Sequence, residues 1–207
     1  DLHAMTDYRP RVPLRIYTAD KVLIGEYGEE HRNVLRFDEI PPVMRQAVLA
    51  AEDDRFYQHG GIDWTGVVRA GLTNLINMSK TQGASTITMQ VARNFYLSSE
   101  KTYSRKFYEL LLTFKIESEL TKDQILELYM NQIYLGHRAY GFAAASRTYF
   151  GKPLSEVTPA EAAMLAGIPK APSRFNPISN RPRAELRQRY VLGRMQSLGY
   201  LTEPEYK

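Results

Sequence analysis

The sequence contains no cysteine, and that one absence removes disulfide staples, thiolate nucleophiles and thiolate-held metals together. It leaves the compartment open. Long apolar runs are missing too: no stretch reaches the roughly 18 to 20 consecutive apolar residues of a membrane-crossing helix. The first twenty residues lack the charged-then-apolar pattern of a secretion signal. The four histidines, His3, His31, His59 and His137, stand too far apart for zinc-hydrolase spacing. Nor is there a Gly-x-Ser-x-Gly elbow, a Walker loop or a Gly-x-Gly-x-x-Gly phosphate loop. Charge of one sign is in small excess, with 27 Lys plus Arg against 23 Asp plus Glu, so an anionic partner is admitted and none is selected. What is present is ordinary globular usage, 43% hydrophobic and 24% charged over 207 residues, enough chain to bury a core of its own. The abrupt start at Asp1-Leu2-His3 and the stop at Glu205-Tyr206-Lys207 read as a piece of a longer protein.

Local patterns predict a short hairpin followed by helices. Leu14, Ile16, Val22 and Ile24 alternate around Ala19-Asp20-Lys21. Pro41 and Pro42 open a helix with Val43, Ala47, Ala50 and Ala51 on one side, running into Glu52-Asp53-Asp54. Asp63 is placed to cap a helix whose Trp64, Val67, Val68, Gly71, Leu72, Leu75 and Ile76 recur at helical spacing. Phe107, Leu110, Leu111 and Phe114 predict a further buried face. Thr121 to Gln124 and Thr158 to Glu161 have capping-box form, and Ala184, Val191, Met195 and Leu198 line a last helix stopped by Gly199.

The chemistry must then rest on carboxylates, hydroxyls and cations. In Glu52-Asp53-Asp54-Arg55-Phe56-Tyr57-Gln58-His59-Gly60-Gly61, three acids stand at a helix C-terminus, where the helix dipole disfavours their charged form. A solvated helix end with Arg55 pairing locally accounts for the same residues equally well. Gly83-Ala84-Ser85-Thr86-Ile87-Thr88-Met89-Gln90 is a polar helix start suited to hold phosphate or sugar oxygens, or else an ordinary Ser85 cap. Arg105, Lys106 and Glu109 put two cations and a carboxylate within about one helical turn. Arg93 and Lys101 extend that basic cluster, and a surface ion-pair ladder is the plain alternative. Between residues 170 and 194, Lys170, Arg174, Arg181, Arg183, Arg187, Arg189 and Arg194 face one acid, Glu185, which reads as a solvated helix face.

Taken in order, these segments resemble the family 51 peptidoglycan glycosyltransferases, the polymerase domain of class A penicillin-binding proteins and of monofunctional transglycosylases. The resemblance covers roughly residues 36 to 207. Glu52, Asp53, Phe56, His59 and Gly61 match the first motif; Gly83, Ser85, Thr86, Ile87, Thr88 and Gln90 match the second. Arg105, Lys106 and Glu109 are the third, Ile125 to Gly136 the fourth, and Glu161 to Gly167 with Lys170 and Asn176-Pro177 a fifth. Met89 replaces a usual glutamine, Arg93 a usual lysine and Lys101 a common arginine; the last two keep the charge but change the shape of a phosphate contact.

The resemblance implies a mainly α, lysozyme-like domain over residues 36–207 after a linker and hairpin at 1–35, polymerising lipid II with inversion and releasing undecaprenyl pyrophosphate. It implies Glu52 as the base for the acceptor hydroxyl and Glu109 as the donor-side carboxylate. Arg93, Lys101, Arg105, Lys106 and Lys170 are implied on the diphosphate, and Ser85, Thr86, Gln90 and Asn94 on the donor. Asp53, Phe56 and His59 are implied to shape the site, His59 as a hydrogen-bonding orienter. No organic cofactor is implied; a divalent cation, magnesium or manganese, stays open, with Glu109 and Asp53 as candidate ligands but no dedicated ligand spacing. The implied partners are the growing glycan strand and a membrane surface, met by the apolar stripe from Trp64 to Met78. A transpeptidase domain and a membrane anchor at the periplasmic face would belong to the longer protein. A muramidase or lytic transglycosylase and a non-catalytic wall-lipid module remain alternatives; nucleic acid is disfavoured because no aromatic stacking platform accompanies the cations.

Overall fold

The computed structural model describes residues 14–17, 23–27, 34–77, 85–95 and 103–206. Strands β1 (Leu14–Tyr17) and β2 (Leu23–Tyr27) pair antiparallel, with Leu14 opposite Tyr27 and a register irregularity between Ile16 and Tyr17. The hairpin stands where the alternation puts it; its turn at Ala19-Asp20-Lys21 lies outside the described residues. The other described elements are helical: α1 (Pro42–Glu52), α2 (Trp64–Asn77), α3 (Ile87–Asn94), α4 (Tyr103–Glu119), α5 (Lys122–Gln132), α6 (Phe142–Phe150), α7 (Pro159–Gly167), α8 (Arg181–Ser197) and α9 (Glu203–Tyr206). The mainly α expectation is met.

The starts follow the capping rules. Thr158 accepts from the Glu161 amide while Glu161 reaches back to the Thr158 amide, with Pro159 at the first helical position. Thr121 and Gln124 exchange the same pair of bonds. Asp63 accepts from the Gly66 amide at the head of α2. At the head of α3 the cap is Thr86, which accepts from Met89, and not Ser85 as the sequence suggested.

The chain divides into two compact units, Glu52–Tyr129 and the remainder. In the larger unit, Met44, Ala47, Val48, Leu49 and Ala50 of α1 are buried. So are Phe142 to Ser146 of α6 and Ala162, Ala163, Leu165 and Ala166 of α7. Small residues let backbones approach: a Cβ on Gly167 would lie 2.8 Å from Arg187 Cγ of α8. The Arg187 guanidinium lies over the Tyr190 ring and donates to the Ala51 carbonyl at the end of α1, a cation where the helix dipole favours one. The buried Asn131 amide holds the segment before α1 on both sides, accepting from Leu35 N at 2.9 Å and donating to Leu35 O at 2.8 Å.

In the smaller unit, Phe56, Ala70, Ile87, Val91, Ala92, Ile116, Ile125, Leu126 and Tyr129 are buried. One helical stripe differs from expectation. Phe107, Leu111 and Phe114 of α4 are exposed, and the helix instead buries Thr113 and Ile116. On α2, Trp64, Val68 and Leu72 are 69%, 62% and 57% exposed, and Ala70 is buried. Periodicity identifies an apolar face but not what covers it. The side chains of Leu75 and Ile76 lie outside the described ones.

Two outcomes test this frame. Gly141 has φ +82, and a Cβ there would stand 2.6 Å from the Asn131 carbonyl oxygen, which is backbone. Gly141→Ala should therefore cost on the order of 3 kcal/mol by urea unfolding, combining left-handed strain with a clash that no side chain relieves. Burial pushes the Tyr149 hydroxyl up from 10 to about 12, although the Asn176 hydrogen bond lowers it. The folded state thus holds this proton more tightly than the unfolded chain. Its contribution is whole below pH 10 and is lost as pH rises towards 12, so the stability advantage of wild type over Tyr149→Phe should shrink across that interval in alkaline melts.

Candidate active site

The first-motif residues all fall in the smaller unit, where α1 ends at Glu52 and the chain turns through the 3-10 turn Phe56–Gln58. Asp53 is buried, and its carboxylate accepts from His59 Nε2 at 2.8 and 2.9 Å and from the Ile87 amide at 3.1 Å. Ile87 is the first residue of α3, so a carboxylate that leaves the unfavourable end of one helix settles at the favourable end of another. The Gly61 amide donates to His59 Nδ1 at 3.1 Å, which fixes the tautomer: Nδ1 accepts, and Nε2 carries the proton given to Asp53. Phe56, buried, meets the His59 ring edge-on with centroids 6.1 Å apart. Thr86 Oγ1, also buried, donates to the Gly61 carbonyl at 2.6 Å. The loop from Asp53 to Gly61 and the start of α3 are thereby tied at two points, Asp53 to Ile87 and Gly61 to Thr86.

Glu52 is half-buried, and the Gln90 amide of α3 donates to its Oε2 at 3.4 Å. Glu109 of α4 receives Arg105 Nε at 3.2 Å and lies 3.7 Å from Arg93 Nε. Its carboxylate is mostly buried, while the Arg93 side chain is about half exposed. A half-open guanidinium tethered to a buried carboxylate keeps donors free to turn towards an incoming anion. Lys106 and Asn94 are exposed, and Ser85 is half-buried.

The candidates therefore form two groups: Glu52, Asp53, Phe56, His59, Thr86 and Gln90 in one, and Arg93, Arg105 and Glu109 in the other. Lys101 lies outside the described residues, as do Gly83 and Ala84 of the second motif. Lys170 is exposed and belongs to the larger unit. No three His, Asp or Glu side chains gather as a metal cage among the described residues.

Sequence reasoning placed Thr88 in the second motif without a role of its own and passed over Glu117 and Lys122 as site residues. Glu117 Oε1 takes Lys122 Nζ at 2.6 Å and Thr88 Oγ1 at 2.7 Å. The pair spans five residues across the break between α4 and α5, so the three- and four-residue spacing of helix ion pairs does not flag it.

Comparison with known proteins places these features in a family. A family model described as Transglycosylase matches residues 20–196. Penicillin-binding protein 1A of Neisseria lactamica is 58% identical over 194 residues, covering 94% of this chain and 24% of its own length. Its Escherichia coli (strain K12) counterpart is 50% identical over 206 residues, 100% of this chain and 24% of its own length. The crystal structure of penicillin-binding protein 1A from Haemophilus influenzae aligns with a TM-score of 0.54 at 31% identity, over 96% of this chain and 20% of that one. The chain thus spans about a quarter of the length of the curated relatives it matches. With more than half of its residues under that model and relatives this similar along almost all of it, the chain belongs to the transglycosylase family.

Proposed function

We propose that this chain is the lysozyme-like glycosyltransferase domain of a bifunctional penicillin-binding protein, formed by residues 36–207, and that it polymerises lipid II with inversion. The observation that carries the reading is the pairing of two unlike carboxylates in one unit: Glu52 beside a glutamine, and Glu109 beside two arginines. One suits a base and the other a phosphate clamp.

Glu52 takes the proton of the acceptor's 4-hydroxyl. The freed oxygen forms a bond to the donor's anomeric carbon from the face opposite the diphosphate, and the bond to the diphosphate oxygen breaks with its electron pair. Arg93, Lys101, Arg105 and Lys106 neutralise the departing undecaprenyl pyrophosphate. Glu109 holds Arg93 and Arg105 in place for it. Ser85, Thr86, Gln90 and Asn94 contact the donor, and His59 orients Asp53 and shapes the pocket without transferring a proton. A muramidase reading is less well supported, because cleavage of a neutral glycan makes no demand for the arginines on Glu109. The two carboxylates considered for a divalent cation are engaged elsewhere, Asp53 by His59 and the Ile87 amide, Glu109 by the arginines. They do not fit a metal site, and no step runs through one.

The exposed Trp64, Val68 and Leu72 follow one another at four-residue intervals along α2 and offer an apolar edge to the outer face of the inner membrane, where the lipid tail lies. The anchor and the transpeptidase belong to the longer protein.

In labelled lipid II with detergent, the wild-type chain should make glycan, while Glu52→Gln should lose roughly 100- to 10,000-fold in rate at unchanged circular dichroism, the span of a general base. Glu109→Gln should keep a measurable residual rate. Glycan from Glu52→Gln at the wild-type rate would refute the base assignment, and shortening of preformed glycan in place of polymer would turn the reading to a hydrolase. Val68→Asp with Leu72→Asp should weaken flotation with anionic liposomes while the circular dichroism spectrum is kept; undiminished flotation would refute the membrane edge.

A further inference from the structure

The glycosyltransferase reading leaves the Glu117–Lys122 pair unused, yet its contacts reach both segments that carry the proposed site. Thr88, fully buried, gives its hydroxyl proton to Glu117 Oε1 at 2.7 Å. Thr88 sits one residue after Ile87, whose amide holds Asp53, and two before Gln90, whose amide reaches Glu52. On the other side, the Glu117 stem lies alongside the His59 turn and leaves no room for a side chain at Gly61: a Cβ there would stand 3.1 Å from Glu117 Cγ and 2.9 Å from Thr113 Cγ2. Gly61 has φ +100, and it both donates to His59 and accepts from Thr86. Lys122 closes the arrangement, 2.6 Å from Glu117 Oε1 and 4.5 Å above the centre of the Phe56 ring. One carboxylate therefore grips α3 with an oxygen and abuts the Asp53–Gly61 loop with its carbons, and its cation covers the aromatic of that loop.

We propose that Glu117, through Thr88 on one side and Gly61 on the other, is a positioning residue that sets the separation of α3 from the Glu52–His59 loop and so aims Glu52. The proposal rests on the glycosyltransferase reading for what Glu52 does, but the brace is a property of the fold. A mostly buried carboxylate held by two partners is a stiff spacer: Lys122 balances its charge, and both bonds share one oxygen. Small displacements of a reacting group cost rate steeply.

The test uses the full chain with three variants. Thr88→Val deletes the hydroxyl at nearly constant volume, Thr88→Ser restores it, and Glu117→Gln keeps the acceptor but discharges the pair. Thr88→Val should lower kcat on lipid II roughly 10- to 100-fold, the range of supporting contacts around a site, with KM within about twofold. Thr88→Ser should return most of that loss, and Glu117→Gln should fall between them. In the same samples, hydrogen exchange at the Gly61 and Ile87 amides should be faster in Thr88→Val and normal in Thr88→Ser. Wild-type kcat in Thr88→Val, a loss that serine fails to return, or unchanged amide exchange overturns the proposal. If even the wild-type chain makes no glycan, the glycosyltransferase reading falls by itself, and amide exchange alone then decides for or against the brace.

Discussion

The burial of one carboxylate governs the smaller unit. Asp53 is out of water, and an ionised group there is tolerable only when its oxygens are engaged. Two segments distant in sequence satisfy that demand: His59 six residues on, and the first amide of α3 thirty-four residues on. Whatever conformation the chain takes between them must return the head of α3 to Asp53, so the second motif follows the first in space because of a solvation requirement. Glu52 precedes Asp53 by one residue and inherits its placement.

The larger unit solves a different problem with different means. Its helices carry alanine and glycine where backbones meet, as at Gly167 against Arg187, and few of its buried groups are polar. Small side chains permit short approach distances and many dispersion contacts at little entropic cost. Its arginines are concentrated on α8, where Arg187 stacks on Tyr190 and caps α1. The basic tract read as a solvated face from composition therefore contains at least one residue with a packing duty.

The sequence made certain features legible and hid others for physical reasons. Capping boxes at Thr121 and Thr158 are local, fixed by four residues, and both form. The hairpin and the run of helices also follow from periodicity. The face of Phe107, Leu111 and Phe114 was read as buried and is exposed, because an amphipathic period reports apolarity and not the neighbour. The cap of α3 moved from Ser85 to Thr86 since both hydroxyls are chemically able, and only Thr86 is also within reach of the Gly61 carbonyl. Among the candidate site residues, the motif spacing located Glu52, Asp53, His59 and Glu109, but the tautomer of His59 depends on an amide two residues away and a carboxylate six residues back. Thr88 stood in the second motif, but its partnership with Glu117 and Lys122 was illegible because it crosses a helix break and two chain segments.

The Asn131 amide imitates a strand partner for Leu35, taking its N–H and returning one to its carbonyl. A pair of opposed bonds to a single residue fixes both its position along the chain and its rotation, much as a clip fixes a ribbon. The chain from Leu35 thus starts towards α1 from a fixed point. A residue inserted between Leu35 and Pro42 would therefore have to be taken up in that short connection, because the clip holds one end of it and the buried face of α1 the other.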